Sequence, residues 1–315
     1  MGTFSADHAA HLRPGHLLAA ELARSQRAAV ATLPVLRHLL ASDGPSLVSE
    51  AVVARVRGML RDLAAQLYAG GRGPAAVSDH AAPEIDALVV QLGAHEALLA
   101  HIHTLALESQ LAERFEQRLS LDPVLSPLLQ ELIASDDQAV AELAMNVLAA
   151  QTRFMQCQRR MELPLAELPA DLFRTALQIG ANRDQPGSAA GLAALMASYD
   201  EAATRLALLE RLIVAMRRAV VACLAFDRAG LALFAQGLAA LAGMERAGAI
   251  HACHEQQSPR LALGLRAAGL DPAGIERQML LIAAPGGWLA DIAEITPQQA
   301  RARLGELDAI PLERG

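Results

Sequence analysis

The stretch Ser135–Met161, SDDQAVAELAMNVLAAQTRFMQCQRRM, decides the fold. Its apolar residues Val140, Leu143, Val147, Ala150, Phe154, Cys157 and Met161 recur at alternating spacings of three and four. An α-helix advances about 100° per residue, so this spacing stacks them in one stripe that other helices must cover. Ser135-Asp136-Asp137-Gln138 at its head has the form of a capping box. The reading is a long amphipathic helix with Leu143 in mid-stripe.

The same grammar runs through the chain. Val53, Val56, Leu60, Leu63 and Leu67 line one face over 46–69. Ile85, Leu88, Leu92, His95, Leu99, Ile102 and Ala106 do so over 83–119, read as one long helix. Leu206, Leu209, Ile213, Met216, Val220 and Cys223 do so over 200–225, with Leu209 in mid-stripe. Residues 15–41 read as one helix, or two divided at Pro34, and 170–181, 189–199 and 228–243 as further helices. Asp43-Gly44-Pro45 reads as a turn, and 70–82 and Asn182–Ser188 as loops. Asp122-Pro123, Ser258-Pro259, Asp271-Pro272 and Thr296-Pro297-Gln298-Gln299 read as a cap followed by a first turn.

Composition points the same way. Ala (67) and Leu (53) make up 38% of the 315 residues and aromatics only 3%, which favours helices and starves strands. The fold expected is all-α. Between Leu163 and Pro169 two prolines five residues apart interrupt the pattern, since neither can continue a helix. They suggest a long-helix bundle over 1–163 and an array of short antiparallel helix pairs over 164–315. Each part would then be expressible without the other.

All 27 basic residues are Arg. With no Lys, a Walker A loop, a Lys Schiff base and a protein-kinase catalytic lysine are excluded. The net charge of −7 lacks the basic footprint of a nucleic-acid binder or a polybasic membrane patch. Cys157, Cys223 and Cys253 are odd in number and widely spaced, which argues against a disulfide framework and for a reducing, cytoplasmic setting. The first residues, MGTFSADH, have neither the basic nor the apolar region of a signal peptide. The longest uncharged run, Ala229–Met244, is 16 residues, short of a membrane span, and reads as a buried helix.

No catalytic motif is present. His251, His254 and Glu255 fall at i, i+3 and i+4, so one helix would carry all three on one face. Imidazole and carboxylate suit zinc or iron, and a distant fourth ligand would complete such a site. A solvated polar face is the competing reading, and no metal or other cofactor is assigned. His95-Glu96 opens like the phosphoacceptor box of a histidine kinase, yet the following Ala97-Leu98-Leu99-Ala100 lacks that box's polar and Pro positions. A core or interface histidine is the plainer reading of His95. Cys157 and Cys223, on apolar stripes, read as small buried hydrophobes. Arg211, Arg217 and Arg218 could contact an anion or an acidic partner, or simply face water.

Two further stretches carry a resemblance: Gln158-Arg159-Arg160-Met161-Glu162-Leu163-Pro164-Leu165 through Leu172, and Arg260-Leu261-Ala262-Leu263 to Leu270. With the Ala/Leu/Arg bias, they resemble an uncharacterised alphaproteobacterial family of all-helical proteins with HEAT-like helix pairs, a domain of unknown function. The resemblance implies a HEAT-like array and no known activity. The function expected is a non-enzymatic cytoplasmic scaffold or regulatory protein that binds another protein, neither nucleic acid nor membrane, with self-association left open. A metal-binding protein or enzyme at His251, His254 and Glu255, and a phosphotransfer bundle at His95, are the alternatives.

Overall fold

The computed structural model describes residues 16–41, 49–70, 82–181, 188–282 and 286–308. The turn expected at Asp43-Gly44-Pro45 and nearly all of the two expected loops lie outside them. The described residues are all-α: helices joined by short 3-10 segments and turns, with no strand. The first six helices are α1 (His16–Ala41), α2 (Glu50–Gly70), α3 (Ala82–Ala94), α4 (Glu96–Leu119), α5 (Pro127–Ile133) and α6 (Gln138–Arg159). After a 3-10 turn at Leu165–Glu167 come α7 (Ala170–Ala181), α8 (Ser188–Ser198) and α9 (Arg205–Met216). A 3-10 segment, Arg217–Leu224, leads into α10 (Phe226–Ala242), α11 (Arg246–Ala252), α12 (Ser258–Ala267), α13 (Pro272–Ile282), α14 (Leu289–Ala293) and α15 (Pro297–Asp308). No single helix among the described residues is long and apolar enough to cross a membrane.

The stripe of α2 is buried throughout, from Val53 to Leu67. That of α6 is rotated by one position from the expected one. Val140, Ala144, Val147, Gln151, Met155 and Gln158 face inward, while Leu143, Phe154 and Cys157 are half-buried and Met161 is exposed. Its cap is Asp137, whose carboxylate accepts from the Ala139 and Val140 N–H groups, and not Ser135.

Several expected continuities are broken. The helix read over 83–119 is two, bent by 93° at His95. The helix read over 200–225 begins only at Arg205, capped by Thr204, and gives way to 3-10 geometry at Arg217, whose φ is +51°. Asp122 accepts from the Val124 and Leu125 N–H groups in a local turn, and the helix starts four residues later at Ser126-Pro127. By contrast α1 passes through Pro34 unbroken. Thr296 and Gln299 cap α15 reciprocally, as read from their spacing.

Two hydrophobic cores form. One gathers the second half of α1, α2, α3, the first half of α4, Leu163–Leu168, α7 and Leu192 of α8. The other gathers Leu18 and Leu22 of α1, the second half of α4, α5, α6 and the helices from α9 onward. At its centre Phe226 and Phe234 of α10 are fully buried. Gly230 lets α10 kink there: its φ of +65° with ψ of 169° is open only to glycine, and a Cβ would sit 3.1 Å from the Ser126 Cβ. Gly237 lets the Arg217–Leu224 segment approach, since a Cβ would lie 2.3 Å from that of Cys223.

The expected division into 1–163 and 164–315 is not where the cores part. Leu163, Leu165 and Leu168 are buried against α2 and its neighbours. Asp62 accepts from the Leu163 N–H and Gln66 from the Leu165 N–H, both at 2.8 Å. The proline-rich segment is therefore a packed strap that carries the chain from one core back to the other. The first helix also closes on the last ones: the Leu18 N–H donates to Asp291, Gln26 donates to the Leu307 carbonyl, and Ser25 bonds Gln257. Fragments 1–163 and 170–315 expressed separately should aggregate, because each lacks part of both cores and exposes what remains, and should co-purify when co-expressed. A soluble helical monomer from either fragment alone would refute this account of the cores.

Candidate functional site

Glu108 lies in the middle of α4, where that helix passes from one core to the other, and is 1% exposed. Its Oε1 accepts from Arg205 Nη1 at 2.8 Å and Arg246 Nη2 at 2.7 Å. Its Oε2 accepts from Arg205 Nη2 at 2.8 Å and Arg246 Nη1 at 3.0 Å. Two bidentate pairs thus share one carboxylate. Arg205 also donates to Gln151 Oε1 at 3.0 Å, and its guanidinium stacks 3.7 Å from the centre of the Phe154 ring. Gln151 in turn donates to the Pro123 carbonyl. The triad joins α4, α9 and α11, and Gln151 adds α6.

Burial by itself would raise the pKa of Glu108. The charges and hydrogen bonds of Arg205 and Arg246 outweigh it and hold the carboxyl far below the usual carboxylate range. One anion against two cations leaves the triad with an excess positive charge. Glu167, on the strap, accepts from the Arg205 N–H at 2.9 Å and so places a carboxylate at the N-terminus of α9.

Two cavities flank this centre. The first, about 400 Å³, lies between α4, the end of α6, the strap and the start of α9. Leu105, Phe154, Leu163 and Leu206 form apolar wall; Cys157, Gln158, Arg153 and Glu167 are among its polar lining. The second, about 350 Å³, lies between α1, α4 and α11 and is lined by His103, His251 and His254 with Gln110 and Ser49. The His103 and His251 rings meet edge to face at 5.5 Å. The Thr104 hydroxyl donates to the Ala100 carbonyl and lies 3.3 Å from His251 Nε2, so it is placed to accept from an Nε2–H tautomer.

The residues singled out in the sequence are dispersed. His251 lies in the last turn of α11, and His254 caps the following 3-10 turn, its Nδ1 accepting from the Gln256 N–H. Glu255 is exposed and pairs with Arg114 at 3.3 Å. The single face expected for His251, His254 and Glu255 does not exist, because the helix ends between them. Among the described residues no group of three or more His, Cys, Asp or Glu is arranged to hold a metal ion. His95 is half-buried and caps α4, its Nδ1 accepting from the Leu98 N–H at 3.3 Å, rather than filling the core. Cys223 and Cys253 are buried, and burial pushes both thiols up to about 12. Cys157 is half-buried, and burial raises its pKa against the opposing pull of Arg160. Arg211, Arg217 and Arg218 are exposed.

Sequence reading missed Glu108, Arg205 and Arg246, which apolar periodicity assigns to solvent. Gln151 and Gln158 gave one signal: a glutamine every seven residues on the inner side of an apolar stripe. Comparison with protein-family models, curated proteins and solved structures returned no match.

Glu108→Gln should destabilise the protein by about 3–5 kcal/mol in urea unfolding, because two guanidinium groups would stay buried without a counter-charge. Replacing all three residues by apolar ones of similar volume should recover much of that loss. Acid acts through a second set. Burial lowers His101 and His103 to about 4 and His251 to about 3, with Arg205 and Arg246 adding to the effect at His101 and the neighbouring histidines at His103 and His251. In the unfolded chain each takes up its proton near the ordinary 6.5. Their contribution is therefore complete above 6.5 and is lost as pH falls from there toward 4 for His101 and His103 and toward 3 for His251. Each proton taken up on unfolding costs about 1.4 kcal/mol per pH unit. Urea midpoints should fall across that window, and less steeply in His103→Gln; an unchanged slope would disprove the assignment.

Proposed function

We propose that this protein is a non-enzymatic helical scaffold or regulatory protein that engages another protein. The observation that carries this is the segment Val214–Val221. Val214 is 71% and Val221 58% exposed, and between them Arg217 and Arg218 also face solvent. Exposed aliphatic groups bracketing arginines suit a partner surface with apolar and acidic groups, since arginine combines charge, planar hydrogen bonding and apolar stacking. Arg217 holds φ +51° and ψ −122°, a backbone conformation that is costly for a residue with a side chain and is often kept at functional positions. The central charges favour the same reading: Glu108, Arg205 and Arg246 are spent on one another and hold helices together.

Finer readings belong to the same proposal. A HEAT-like arrangement over 164–315 has support in the consecutive packing of α9, the 3-10 segment, α10, α11, α12 and α13. Membership of the alphaproteobacterial helical family rests on the stretches around Gln158–Leu172 and Arg260–Leu270. Cytoplasmic residence draws on the unpaired cysteines, and a protein rather than a nucleic-acid partner on the net charge of −7.

A photo-crosslinking amino acid at Val221 in cells of the native host should give a discrete adduct with another protein. That adduct should be lost when Arg217 and Arg218 are both changed to Glu. Adducts absent at Val221, or unchanged by the charge reversal, would count against this surface.

A further inference from the structure

We infer that the cavity between the end of α6, the strap and the start of α9 binds a medium-chain carboxylate, its apolar body against the inner wall and its anionic head at the rim beside Arg153. Three observations converge on it. The volume, about 400 Å³, falls in the range of small-molecule sites. Leu105, Phe154, Leu163 and Leu206 supply apolar wall from α4, α6, the strap and α9. The third is charge. Arg153 lines the same cavity, is exposed, and makes no ion pair or hydrogen bond through its side chain among the described residues.

Every charged group of the lining enters the balance. Arg160 is paired with Glu162 at 2.9 Å. Glu167 accepts from the Arg205 N–H. The Arg205 guanidinium belongs to the triad, where it and Arg246 face the single carboxylate of Glu108. The cavity and the triad behind it thus set four arginines against three glutamates, and Arg153 is the cation left for a ligand. Its place on α6 locates the head. Arg153 and Cys157 are four residues apart and share one edge of the helix, while Arg160 caps its C-terminus. The free carbonyls of that terminus and Glu162 disfavour an anion there, and Arg153 lies about two turns back from them. Its guanidinium can take a carboxylate bidentately. An ammonium head would find both lining carboxylates engaged and a positive triad behind them. A hydroxyl head would gain nothing from the excess charge.

Cys157 provides the readout. It lines the cavity and is half-buried, whereas Cys223 and Cys253 are buried within the second core. Methyl methanethiosulfonate added to the full-length protein should modify Cys157 first, as followed by mass spectrometry. Octanoate should slow that modification saturably, and octylamine should bind at least about fivefold more weakly. Raising salt from about 0.05 M to about 0.5 M should weaken octanoate and leave octanol unweakened, because only the charged head is screened. Arg153→Gln, at an exposed position, should fold. It should weaken octanoate about fivefold, leave octanol unchanged and remove most of the salt dependence, whereas Arg153→Lys should keep it. Ala166→Trp, exposed on the rim, should block octanoate and octanol alike in calorimetry, which ties binding to this cavity. Modification indifferent to octanoate, octylamine binding as tightly as octanoate, octanoate binding undiminished in Arg153→Gln, or binding undiminished in a folded Ala166→Trp would each overturn the inference. None of these outcomes bears on the Val214–Val221 surface, which is a separate claim with its own test.

Discussion

Everything else in the structure is arranged around the carboxylate of Glu108. It sits where α4 stops belonging to one core and starts belonging to the other: Ala106 packs in the first, Leu107 and Leu111 in the second. Two guanidinium groups arrive from helices far away in sequence, 97 and 138 residues on. Only one register of α9 and α11 against α4 lets both oxygens accept from both arginines. An apolar contact would tolerate sliding by a turn; this one leaves a buried charge bare if it slides. Such groups are seldom the cheapest way to gain stability, since desolvating three ions offsets most of their attraction. What they fix here is geometry, and the two cores inherit it.

The same constraint explains where the sequence could be read and where it could not. The stripe of α2 is legible because nothing polar competes for its inner face. On α6, Gln151 takes an inner position because Arg205 needs a further acceptor, and the stripe turns to bring it there, leaving Phe154 beside the guanidinium at the edge of the core. Periodicity cannot foresee that exchange, for its cause lies 54 residues away. Local signals fare better. Thr296 and Gln299 cap each other within one turn, and Asp271 caps the start of α13 through the Gly274 N–H, so both helix starts could be read from spacing alone. His95 is the opposite case: the apolar positions stay in phase across it, and only Gly93 two residues earlier hints that the chain bends.

Prolines at 164 and 169 mark where a helix ends, and a helix end is not a domain boundary. The two differ physically. A boundary needs few contacts across it, whereas this segment buries three leucines and hands two backbone N–H groups to side chains of α2. Asp62 and Gln66, one turn apart on α2, act as a template for extended chain. Gln66 also donates to the Leu163 carbonyl, which completes the clasp. No pattern within 163–169 shows that its partners lie about a hundred residues earlier.

The position of the cavities follows from the composition. Alanine-rich helices approach closely within each core, and leucine fills the spaces between them. Where helices of one core diverge to meet the other, the gaps are wider, and the chain has six Phe, two Tyr and one Trp to fill them. Phe115, Phe226 and Phe234 are committed to the second core, and Phe173 stacks on Tyr199 at the edge of the first. Among the described phenylalanines Phe154 alone touches both cores, and it lines the cavity at the end of α6 rather than filling it. Polar side chains then occupy the margins: Gln158 on one side of α4, His103 and His251 on the other. A fold that spends its aromatics inside its cores is left with space at their junction.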